Sequence, residues 1–102
     1  MNINQTWLYQ ERASRAAAAG KFPEAYDDAR LVAKFNEGNG QTYLMLGLYA
    51  YLAGDRAAAQ QELEHAKGMM PDFQKRLETV LTARPVFEPA RKDAEFWKRV
   101  TQ

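Results

Sequence analysis

A small-residue turn is written twice in this chain, as AAGKFPEA over residues 18–25 and as LAGDRAAA over residues 52–59. Gly20 and Gly54 stand 34 positions apart (54 − 20 = 34). A glycine that ends one helix, followed closely by a residue suited to start the next, makes a tight reversal between two helices. Two such reversals at one interval predict two helix pairs of matching length. A single pair cannot bury its own apolar faces, whereas pairs stacked at a fixed period can.

The rest of the chain reads as helix. TWLYQERASRAAAA, residues 6–19, is rich in helix formers and free of Pro and Gly. Pro23 suits the first turn of a second helix, which runs to about Phe35, and NEGNG over 36–40 is the densest turn signal. QTYLMLGLYAYLA, residues 41–53, is apolar almost all round, which in a small domain predicts a helix packed on more than one side. Asp55 is a good N-cap for a fourth helix that stops before Pro71. DFQKRLETVLTA, residues 72–83, carries Phe73, Leu77, Val80 and Leu81 on one stripe and is halted by Pro85. A last helix is expected from near Pro89 to the end, docking through Ala90, Ala94, Trp97 and Val100. No run alternates as a strand does, so the expected class is all-α.

From Gly40 onward the residues resemble the tetratricopeptide repeat, a helix-pair unit of about 34 residues with a recurring pattern of aromatic, Leu-Gly, aromatic, Ala, large apolar, Ala and Pro. Tyr43, Leu46, Gly47, Ala59, Leu63, Ala66 and Pro71 fall on that pattern, and Ala50 departs from it where an aromatic is usual. One period earlier, from Thr6, the match is degenerate: Tyr9, Ala13, Ala25, Ala29 and Val32 fit, while Arg12 and Glu37 break it. One period later, from Gln74, only Leu77 fits before Pro85. The resemblance implies an antiparallel helix-pair solenoid, an α-α superhelix, with repeat one over about 6–39 and repeat two over about 40–73. A partial third repeat and a C-terminal capping helix fill 74–102, all in one domain. A generic helical bundle with coincident alanines is the plainer alternative.

Little in the sequence points to chemistry. Formal charge is +1, which gives no field to draw in nucleic acid or an anionic membrane. There is no cysteine, no phosphate-binding glycine loop and no run of roughly 18 apolar residues to span a membrane. His65 has only Glu62 at helical spacing, too few ligands for a metal, and reads as a surface residue. Asp27 and Asp28 read as a solvated helix face. No enzymatic activity, cofactor or metal is expected, and the chain reads as soluble and cytoplasmic.

The resemblance also implies a function, since such arrays hold a partner segment in a concave groove lined by the first helix of each pair. Carried over, the lining is Trp7, Gln10, Ser14, Ala17 and Ala18 from repeat one. Repeat two supplies Gln41, Leu44, Leu48, Tyr51 and Leu52, and the partial third Lys75, Glu78 and Thr82. Family members that grip acidic chaperone C-termini carry Lys and Asn where this chain has Gln10, Ser14, Leu44 and Leu48, which disfavours that ligand. An apolar or amphipathic segment of another protein suits the lining better. The expected function is a protein-protein interaction module, an adaptor or assembly factor. The alternative is a small secretion chaperone shielding an apolar segment, and a homo- or hetero-oligomer is compatible with either. The same side chains would also suit a core, buried under the chain's own last helix. That helix either seals the end of helix five or lies in the groove.

Overall fold

The computed structural model describes residues 3–101, with side chains described for 5–100. Every regular element among them is helical: α1 (Ile3–Ala18), α2 (Phe22–Phe35), α3 (Gly40–Leu52), α4 (Arg56–Met69), α5 (Phe73–Ala83), α6 (Glu88–Arg91) and α7 (Ala94–Thr101), with a 3-10 turn at Pro85–Phe87 between α5 and α6.

The recurring turn has one geometry in both places. After α1, the Gly20 N–H donates to the Ala17 carbonyl (3.0 Å) and the Lys21 N–H to that of Ala16 (2.8 Å). After α3, Gly54 donates to Tyr51 and Asp55 to Ala50, each at 3.0 Å. These are the paired bonds of a Schellman closure, which requires a left-handed residue at the glycine. Gly20 has φ +79° and Gly54 φ +92°, the two positive values in the described chain. At Gly54 an added Cβ would meet nothing within 4 Å, so a substitution there is opposed by backbone conformation alone. Gly54→Val is expected to cost about 1–2 kcal/mol. Urea denaturation checks it, and wild-type stability in the variant would contradict the closure.

The second pair is a close-packed zipper. A Cβ on Gly47 would lie 2.6 Å from Leu63 Cγ and 3.2 Å from the Ala59 carbonyl, so only glycine lets the backbones come this near. One turn away Tyr43 stacks on His65 (centroids 4.2 Å), and at the far end Gly40 meets Met70. Contacts that climb one helix as they descend the other make α3 and α4 antiparallel. Asn39 caps α3 by accepting from the Gln41 N–H (2.9 Å), and Asp55 caps α4 by accepting from that of Ala58 (3.0 Å).

The first pair departs from this pattern at Arg12, and the structure supplies the reason. Arg12 donates twice to the Asp28 carboxylate, from Nε (2.8 Å) and Nη2 (2.6 Å), across the α1–α2 seam. Asp28 is therefore buried, not part of a solvated face, while Asp27 is exposed and pairs with Arg30. The two pairs meet where α2 packs on α3, and Ala25, Ala29, Leu44, Leu48 and Leu63 share one continuous core.

The C-terminal segment differs most from the expectation. Instead of one helix from Pro89, α6 ends at Arg91, and Asp93 caps α7 by accepting from the Phe96 N–H (3.2 Å). The break rotates the docking stripe: Ala90 and Val100 are buried as expected and Trp97 is half-buried. Ala94 is exposed, and Phe96 takes its place in the core. Arg56 pairs with Asp93 (3.1 Å) near the start of α4, and Lys67 reaches the Val100 carbonyl (3.5 Å) near its end. Thus α7 lies along α4 and runs in the same direction.

Candidate functional site

Helix α1 carries Trp7, Gln10 and Ser14 at i, i+3 and i+7, which puts them on one side of the helix. Gln10 and Ser14 line a cavity of about 260 Å³ whose other walls come from α2, α3 and the end of α5. Gln41 lines it from the first turn of α3. Trp7 stands one turn outside, 60% exposed.

The remaining expected lining residues divide between core and surface. Leu44, Leu48 and Ala17 are completely buried, so these side chains present nothing to a partner in this conformation. Tyr51 is half-buried under the C-terminal segment: its O–H donates to Asp93 Oδ2 (2.6 Å), and its ring packs on Phe96 (centroids 4.9 Å). Burial, then the hydrogen bond to Asp93 and the charge of that carboxylate, pushes the Tyr51 phenol up from its ordinary pKa. The bond from Tyr51 holds the Asp93 carboxyl below the usual aspartate value. Leu52 is half-buried, and Ala18, Lys75, Glu78 and Thr82 are exposed. The structure thus brings Gln10, Ser14 and Gln41 together and places Leu44, Leu48 and Tyr51 elsewhere.

Tyr49 and Arg84 are among the cavity residues that the sequence reading did not single out. Arg84 follows α5 and projects into the cavity, where it donates to the Tyr49 hydroxyl (3.0 Å) and to Ser14 Oγ (3.1 Å). Its guanidinium lies over the Phe87 ring at 4.8 Å. A signal for it existed: Arg84 continues the Phe73–Leu77–Leu81 stripe by one more step, so a cation stands where the spacing calls for a buried apolar group. Tyr49 offered no such signal, because α3 is apolar on every side.

The cavity carries one charged side chain, that of Arg84, and no carboxylate lines it. Its apolar walls come from Ala13, Ala29, Val32 and Met45, and uncharged polar side chains, Gln10, Ser14, Asn39, Gln41 and Thr42 among them, line the rest. Among the described residues no group of three or more His, Asp or Glu is placed to hold a metal, and no helix is long and apolar enough to cross a membrane. Compared with protein-family models, with curated proteins and with solved structures, the chain matches none.

Proposed function

We propose that the protein is a short helix-pair array of the tetratricopeptide kind, and that it holds a segment of another protein against the side of α1 that carries Trp7, Gln10 and Ser14. Three features support the array. The same Schellman closure recurs at the repeat interval, a glycine-mediated seam joins α3 to α4, and α7 runs along α4 where the second helix of a third pair would lie.

The observation that carries the binding role is Trp7. A tryptophan at 60% exposure, beside a cavity with polar and apolar walls, is an anchor side chain without an intramolecular pocket. Tryptophans so placed dominate binding energies at interfaces. Leu8, 56% exposed on the next position, widens the apolar rim.

Trp7→Ala is expected to abolish capture of the partner while leaving thermal stability unchanged, since an exposed side chain contributes little to folding. Tagged wild-type and variant chains expressed in the native host, with captured proteins quantified by mass spectrometry, measure it. Recovery of the same proteins in equal amounts with Trp7→Ala would defeat the proposal.

A further inference from the structure

We propose that the cavity between α1, α2 and α3 binds a small carboxylate, the size of a single acylated amino acid, with its anionic end on Arg84 and a hydrogen-bond donor on Gln41. Two observations point to a ligand independently. Arg84 is a part-buried cation with no ion-pair partner among the described residues, and its guanidinium has five N–H groups, of which Tyr49 and Ser14 take one each. Removing a cation from water without a counter-charge is unfavourable, and a carboxylate restores what the fold omits.

The second observation is the Gln41 amide. Its Oε1 is buried without a hydrogen-bond partner, the one such side-chain atom among the described residues, and the residue lines the same cavity. Buried acceptors are normally satisfied, so an N–H or O–H from a ligand is the missing group. Between the two polar ends lie Val32 and Met45, which suit a branched aliphatic side chain. The volume, about 260 Å³, lies just below the usual range of ligand sites and suits one residue, not a helix. An amide N–H, a carboxylate and an aliphatic side chain on one carbon are the parts of an N-acyl amino acid.

The inference goes beyond the partner role and does not rest on it, because the probe is a small molecule and Trp7 is not involved. The test titrates the full-length, isotope-labelled chain with N-acetyl-L-leucine and follows backbone amide shifts by NMR. Saturable shifts at Ser14, Gln41 and Tyr49 are expected. N-acetyl-L-leucinamide, equal in shape but uncharged, should bind about tenfold more weakly. So should 4-methylpentanoate, which keeps the carboxylate and lacks the N–H. Arg84→Gln should make the acid and the amide equivalent, and Arg84→Lys should retain a preference for the acid. Equal binding of acid and amide by the unmutated chain would overturn the proposal, whatever the variants do. Shifts confined to other residues, or no saturable shift, would overturn it equally.

Discussion

Leu48→Glu will leave the chain without a cooperative thermal transition. Leu48 is completely inaccessible and sits in the core with Leu44 and Leu63. Its replacement forfeits about 1.5–3 kcal/mol of apolar burial. It also forces a carboxyl group into surroundings where an unpaired charge costs several kcal/mol more. Total stability for a domain of this size is about 5–15 kcal/mol, so the sum is a large fraction of the whole. Far-UV circular dichroism against temperature measures the outcome. The result also separates the two sequence readings of α3: a lining residue would tolerate the change and lose only its partner, whereas a core residue takes the fold with it. A Leu48→Glu chain that melts like wild type would return Leu48 to the surface.

The helix positions were legible because they are governed by local chemistry. Gly20, Asn39, Gly54, Asp55 and Pro85 each act within a few residues, and each marks a boundary in the structure. The close α3–α4 seam was legible through Gly47, since a glycine inside an apolar helix needs a reason and close approach is the usual one. The all-α class followed from these. Which side of α3 faces a partner was not legible. In a helix apolar all round, periodicity cannot separate a groove from a core, and the answer depends on where the C-terminal segment lies. That segment in turn depends on Asp93. An aspartate reads equally as an exposed residue or as a helix cap, and as a cap it splits the last helix and exchanges Ala94 for Phe96. Gln10, Ser14 and Gln41, which the family resemblance implies as lining, share the wall of one cavity. Arg84 shows in the sequence only as a cation on an apolar stripe; its meaning comes from Ser14 and Tyr49, which lie 70 and 35 positions away (84 − 14 = 70; 84 − 49 = 35).

Phe87→Ala is expected to cost about 3–5 kcal/mol, the range for removing a fully buried aromatic ring. The residue lies in RPVFEP, which in the sequence looks like a link between helices, yet Phe87 is the largest completely buried side chain in the described structure. The reason is geometric. Pro85 ends α5 and starts a 3-10 turn, and the tighter turn swings Phe87 inward toward Tyr49 on α3 (centroids 5.9 Å) and under the Arg84 guanidinium. One ring thus ties the C-terminal segment to the core and braces the cation at the cavity mouth. Val86, half-buried beside it, is the control: Val86→Ala removes less buried surface and should cost less than half as much. Urea denaturation of both variants, with the m-value required to match wild type, gives the comparison. The same Phe87→Ala protein should also lose the acid-over-amide preference at Arg84 under conditions where it remains folded. A loss below about 1 kcal/mol would mean that the segment after α5 contributes no anchor to the core, and the burial of Tyr51 and Phe96 beneath it would need another explanation.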